Sequence, residues 1–495
     1  MQLDTNPPGL LDPELPAFLQ VEITSHCNLK CFMCPLTDGL TASSAGLGHM
    51  PDPIWAKILP LAQRAGQVFI AGFGEPFAHP RCTDLLRQLD ERNVSTCLVT
   101  NGTLLTPRLC AELDAIRHLF QINVSVDSLD PETYRSIRRG DLNRVLTGLR
   151  NLMAAVAEPS RVSVSCVATT RNLPSLADFP ARLEEMGVRT LVIQSLTPYS
   201  ADIEQEHLCG GESVAQHLAA IESAASKHHV NLDFTLRARL DLEADDPGKA
   251  TSLYLGAIPA DSDLTRQCAL PWEAPFIDKD GRVFPCCLAS SHTDAQLGDL
   301  RQETLEGVWA GERYRAFRAS MLRGNRLAEV CRTCSAVPAG RHPFLDYSAE
   351  VCPDESVLSA QKRLRLVVRN TGAKRWSRED QVHLGTAGPH DRPSSLHHPE
   401  WLSPNRVGTF QETAVAPGEK ATFVFRVRPS AEIQDFQLVV EGRCWLPSTR
   451  VHVGPVRSWT EPGLVAWRQL RGTLGKVRRR WRSLHRRLRP DPAAR

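Results

Sequence analysis

The 495-residue sequence lacks any run of eighteen apolar residues, so no part of it is built to cross a bilayer as a helix. Its first twenty residues are proline-rich and acidic, with neither a basic n-region nor an apolar core, so no export signal is read and a cytoplasmic protein is expected. Without export, the fifteen cysteines should stay reduced, and their spacing reads as metal chemistry rather than as a disulfide framework. Glycine and proline together make up only 66 residues and 42% of the chain is hydrophobic, which excludes disorder over most of its length. At roughly 100–200 residues per domain, two to four domains are expected.

The net charge of +2 hides an asymmetry. Residues 460–495 hold eleven Arg or Lys against Glu461 and Asp491, leaving 47 basic and 54 acidic residues before them. Attraction to anionic surfaces therefore belongs to the tail.

From residue 18 to about 197, apolar runs at 18–23, 67–71, 95–99, 121–126, 161–168 and 190–194 alternate with amphipathic stretches at 53–63, 80–92, 106–116, 141–157 and 175–186. Strand followed by helix, repeated, predicts parallel strands joined by right-handed crossovers. Six units suit a partial (β/α)6 barrel with functional loops beyond the strand C-termini, and an open doubly wound sheet would give the same pattern. The expected order is an N-terminal extension (1–17), the barrel (18–200), a polar helical connection (201–261), a cysteine-bearing auxiliary domain (262–350), an all-β sandwich (357–455) and a basic helical tail (456–495). Residues 276–284 predict a hairpin through Asp280-Gly281.

Cys27, Cys31 and Cys34 form C-x3-C-x2-C just after the first predicted strand. An iron–sulfur cube has four iron corners, so three thiolates leave one iron open to an exchangeable ligand. Zinc held by the three cysteines with His26 or a remote side chain as fourth ligand is the other reading of this spacing. The second predicted strand runs into Gly72-Phe73-Gly74-Glu75-Pro76, where glycines allow close approach and a carboxylate can pair with an ammonium. Asn101-Gly102 reads locally as a turn, Asp127 as a helix cap near Pro131, and Arg138 as part of a solvated helix face. Further on, Cys268, Cys286 or its neighbour Cys287, and Cys331 with Cys334 could close a four-thiolate site, again for an iron–sulfur cluster or zinc.

Taken in order along the chain, these segments resemble the radical S-adenosylmethionine (SAM) superfamily. The resemblance implies a [4Fe–4S] cluster on Cys27, Cys31 and Cys34, with SAM on its open iron. It implies further that Gly72, Gly74 and Glu75 hold the SAM amino group, and that Asn101, Ser125, Asp127 and Arg138 lie around the rest of the cofactor. The segment from Cys268 to Cys334, with Gly281-x4-Cys286, Leu297-Gly298-Asp299-Leu300 and Val308-Trp309, is similar to the SPASM or twitch extension of that family. Only Cys352 follows closely after Cys334, where a second cluster would need further cysteines, so one auxiliary [4Fe–4S] cluster on Cys268, Cys286, Cys331 and Cys334 is expected. The implied activity is reductive cleavage of SAM to a 5′-deoxyadenosyl radical that abstracts a substrate hydrogen. An auxiliary cluster favours net oxidation or cross-linking of a peptide or small polyol substrate, with a flavodoxin or ferredoxin as reductant. No cobalamin-binding domain is recognisable, which weighs against group addition. A non-catalytic zinc scaffold acting through its sandwich and tail is the alternative.

Residues 357–455 resemble immunoglobulin-like modules through Asn370-Thr371-Gly372 followed by Trp376, and they contain no internal repeat. In the tail, Trp467, Leu470, Leu474, Val477, Trp481, Leu484 and Leu488 step by three and four among arginines and lysines. Such a helix suits docking on an anionic membrane surface, its own acidic body or a partner helix; nucleic acid is unlikely, since no reader motif accompanies the charge.

Overall fold

The computed structural model describes residues 10–37, 46–197, 203, 205–208, 212–234, 265–266, 268–323, 328, 330–331, 334, 339–340, 342–358, 363–388, 390–430 and 432–454. The basic tail lies outside the described residues. Among those described, no helix is long and apolar enough to cross a membrane.

The six apolar runs become β1 (Leu19–Val21), β2 (Gln67–Ile70), β3 (Ser95–Thr100), β4 (Leu119–Ser125), β5 (Val162–Ala168) and β6 (Thr190–Ser195), each paired in parallel with the next. Their inward residues Leu19, Val21, Val68, Leu98, Ile122, Val164 and Leu191 are fully buried, as strands covered on both faces require. Between them lie α1 (Asp52–Ala65), α2 (Cys82–Asp90), α3 (Pro107–Asp114), α4 (Pro131–Arg138), α5 (Leu142–Ala155) and α6 (Phe179–Glu185). Thr106, Asp130 and Asp141 cap three of these helices by accepting from the backbone N–H of Leu109, Thr133 and Asn143. The stretch expected to be one helix at 175–186 divides into a 3₁₀ segment, Leu173–Asp178, and α6. Pro180 lies in the first turn of α6, where its missing N–H costs nothing, so a new helix starts there.

The connection expected to be helical carries α7 (Glu212–Lys227) and also β7 (Asn231–Phe234), a seventh parallel strand beside β6. Four residues with only two apolar side chains carry too little periodicity to announce a strand. The sheet stays open, since β1 and β7 are not paired with one another among the described residues. The fold is therefore an α/β partial barrel.

The cysteine-bearing region is less separate than expected. After β8 (Thr265–Arg266), the hairpin of β9 (Phe276–Ile277) and β10 (Arg282–Phe284) forms through Gly281 at φ 82°. β9 also pairs in parallel with β1, Val21 opposite Ile277, and β11 (Gly298–Asp299) continues the same sheet beyond β10. The auxiliary hairpin thus extends the barrel sheet past β1. A short strand, β12 (Ala339–Gly340), returns to pair with β8.

Two antiparallel sheets follow. β13 (Ala349–Val351), β14 (Arg363–Asn370) and β17 (Lys420–Arg426) form one; β15 (Val382–Ala387), β16 (Arg406–Thr409), β18 (Gln434–Val440), β19 (Cys444–Trp445) and β20 (Val451–Val453) form the other. Phe425 of the first packs against Phe436 of the second, 5.9 Å between ring centres. Gly372 has no room for a side chain, because a Cβ there would lie 2.2 Å from the Asp346 carbonyl oxygen. Arg450 ties this unit to the barrel by donating to the Ala65 carbonyl at the end of α1 (2.8 Å) while paired with Asp435.

Candidate active site

The loop after β1 is anchored by the protein's own contacts. Phe32 N–H donates to the Ile137 carbonyl at the end of α4 (3.0 Å), and the Arg171 guanidinium lies over the Phe32 ring at 4.1 Å. Cys34 N–H donates to the Cys31 carbonyl (3.2 Å), curling the loop so that all three thiols face inward. They open onto a cavity of about 350 Å³ at the C-terminal ends of the strands, lined also by Gly72, Gly74, Glu75, Asn101, Ser125 and Arg138. Nine of the ten residues expected around the triad and its cofactor therefore share one cavity.

Glu75 is almost fully buried. One oxygen accepts from Thr100 Oγ1 (2.6 Å) and the other from Asn101 N–H (2.7 Å), fixing the carboxylate at the floor. Burial raises its pKa against those hydrogen bonds. The Asn101 amide donates to Asn28 Oδ1 (2.9 Å) and lies 3.9 Å from the Cys27 sulfur. Ser125 sits at the end of β4, its hydroxyl 3.5 Å from that of Ser165.

Asp127 is placed differently. It is fully buried and does not line the cavity: one oxygen pairs with Arg138 Nε and the other accepts from Val167 N–H (2.8 Å). It stands behind Arg138, whose Nη1 lies 3.9 Å from the Cys31 sulfur. Burial alone would lower the Arg138 pKa, but the charges of Asp127 and Cys31 hold it above its ordinary value. Burial also raises the three thiols, Cys34 to about 12, so thiolates here call for cationic partners.

A second set of thiols meets under the hairpin. Cys268, Cys286, Cys331 and Cys334 line one small apolar cavity with Phe317, Met321 and Val330 among its walls. Cys287 is not among that lining; burial pushes its thiol up to about 11, with smaller contributions from the charges of Cys334 and Glu22. Of the two neighbouring cysteines, Cys286 is the one that lines the cavity with Cys268, Cys331 and Cys334. On anaerobic reconstitution, Cys286→Ala should lose about four irons per chain while Cys287→Ala keeps them, as iron and sulfide analysis would read.

Several lining residues had not been singled out. Met33, Gln194, Ser195 and Thr197 line the first cavity, and Leu288 lines both cavities. Gln194 and Ser195 end β6, so the rule that function collects at strand C-termini could have found them. Nothing local marks Leu288.

An open parallel barrel with three thiols, a buried carboxylate and a guanidinium at its mouth has the donor set for an iron–sulfur cluster carrying an amino-acid-like ligand. Residues 21–167 match the family model of the Radical SAM superfamily, and residues 268–335 match that of the SPASM iron–sulfur cluster-binding domain. The chain therefore carries a radical SAM domain followed by a SPASM domain. It is 25% identical to the tungsten-containing aldehyde ferredoxin oxidoreductase cofactor-modifying protein of Pyrococcus furiosus, over 64% of this chain and 87% of that protein. It is 23% identical to the AdoMet-dependent heme synthase of Methanosarcina barkeri, over 65% and 91%. It is 24% identical to the PqqA peptide cyclase of Gluconobacter oxydans, over 65% and 83%. Its cofactors are accordingly SAM with its [4Fe–4S] cluster, and auxiliary iron–sulfur.

Proposed function

We propose that the chain oxidises or cross-links a peptide by hydrogen abstraction, with Cys27, Cys31 and Cys34 holding the SAM cluster and Cys268, Cys286, Cys331 and Cys334 a single auxiliary [4Fe–4S] cluster. When bound, the first cluster supplies the electron that cleaves SAM to methionine and a 5′-deoxyadenosyl radical. The observation that carries this reading is Leu288, which lines both thiol-lined cavities, so that the two adjoin and a substrate radical's electron has a neighbouring outlet. The peptide cyclase among the relatives supports a peptide as substrate.

In this reading Gly72 and Gly74 shape the wall where the SAM amino group rests, and Glu75 pairs with its ammonium. Asn101 and Ser125 offer polar contacts from the ends of β3 and β4. Arg138 faces the cofactor's carboxylate or ribose, and Asp127 holds Arg138 in place. Leu288 adds an apolar wall beside the reacting centre, where fewer waters compete with the cofactor's polar contacts. The same reading keeps a flavodoxin or ferredoxin as reductant and an immunoglobulin-like character for the C-terminal sheets.

The test is anaerobic protein given dithionite and SAM, with 5′-deoxyadenosine measured by chromatography. Glu75→Gln removes the charge but keeps the shape, and it should weaken SAM binding by about 10–100-fold, the range for losing a charge-assisted hydrogen bond. Unchanged affinity in that variant would remove Glu75 from the SAM site.

A further inference from the structure

Glu22, the residue after β1, is 7% exposed and stands between two parts of the molecule that sequence separates by two hundred residues. β1 has β2 on one side and β9 on the other, so Val21 faces both Ile70 and Ile277. The register continues past the strand: Ala71 N–H donates to Val21 O (3.1 Å), and Glu22 N–H donates to Ile277 O (2.9 Å). On the β2 side the Glu22 carboxylate accepts from Phe73 N–H (2.8 Å); the backbone amides of Gly74 on that side and of Lys279 on the β9 side lie near enough to pull its pKa down.

Gly72 confirms the fit. A Cβ at that position would lie 2.6 Å from both Cβ and Cγ of Glu22, so the side chain occupies the space the glycine leaves. Among the described residues no ion pair neutralises the carboxylate. Lys279 pairs instead with Asp280 and Arg282 with Asp278, while Asp278 itself repels Glu22. Burial pushes Glu22 up to about 7 although its backbone amide donors pull it down. A buried carboxylate without a counter-ion persists where the amides it satisfies would otherwise go unpaired.

We propose that Glu22 is a positioning residue that fastens the Gly72–Glu75 loop to the turn of the auxiliary hairpin, so that the shape of the SAM site depends on the docked SPASM domain. This rests on the reading that Gly72, Gly74 and Glu75 hold SAM. Coupling of this kind would let the chain bind SAM tightly only when the auxiliary hairpin is seated.

The experiment uses the reconstituted full-length holoenzyme and two variants, Glu22→Ala and Glu22→Gln. Amide hydrogen exchange is followed by mass spectrometry at residues 72–76 and 278–282, and the Kd for SAM is measured by equilibrium dialysis beside the SAM-induced change in the cluster's EPR signal. Glu22→Ala should raise exchange in both segments together and raise the Kd by about tenfold at unchanged iron content, with Glu22→Gln intermediate because its carbonyl still accepts. Faster exchange in only one segment, or a Kd within twofold of wild type, overturns the proposal. If Glu22→Ala does not fold, Glu22→Gln decides by the same readouts. Wild-type protein that binds no SAM would instead sink the assignment of the SAM site, and the paired exchange would still decide whether Glu22 joins the two segments.

Discussion

Replacing Cys27, Cys31 and Cys34 together with alanine should reduce 5′-deoxyadenosine formation to background, while about four irons per chain survive in the auxiliary site. The two thiol sets line separate cavities that share Leu288 in their walls, so emptying one leaves the donors of the other intact. Both readouts come from one anaerobic preparation: iron and sulfide content, and product chromatography after dithionite and SAM. Loss of all iron would mean that the sites assemble as a unit. Full 5′-deoxyadenosine formation would overturn the assignment of the triad. Zinc cannot give the wild-type pattern, because it has no redox chemistry with which to cleave SAM.

The strand order and most of the cavity were legible because each carried a local signal. Apolar runs located β1 to β6, and residues just past four successive strand ends turned out to share one cavity. What escaped was set by distant neighbours. β7 is a strand because β6 offers it an edge, and the auxiliary hairpin joins the barrel because β1 has a free side. The glycines show the same limit. Sequence reasoning assigned them to close approach of a ligand, yet a Cβ at Gly74 would lie 2.0 Å from the Thr24 carbonyl oxygen, and one at Gly72 would strike Glu22. Both line the cavity, but their lack of a side chain is required by the protein behind them. Asp127 likewise looked like a cofactor contact from its place after β4 and is buried behind Arg138, a depth that no spacing encodes.

That depth makes Asp127 the most informative single position outside the thiols. Its carboxylate is fully buried, and the Arg138 side chain it pairs with is 12% exposed. Removing one partner of a buried ion pair typically costs about 3–5 kcal/mol, because the other charge is left uncompensated in a medium that cannot solvate it. Asp127→Ala should therefore lower unfolding stability by about that amount in a urea titration of anaerobic protein, with SAM cleavage lost through a displaced Arg138. A double change, Asp127→Leu with Arg138→Met, removes both charges at similar volume. It should recover much of the stability, short of the cost of Val167 N–H, which loses its acceptor at Asp127. SAM cleavage should not return with it, since the guanidinium beside Cys31 is then gone. Stability restored without activity separates the pair's structural role from what Arg138 does at the cavity. Activity restored together with stability would make the pair scaffolding alone and remove Arg138 from the cofactor site.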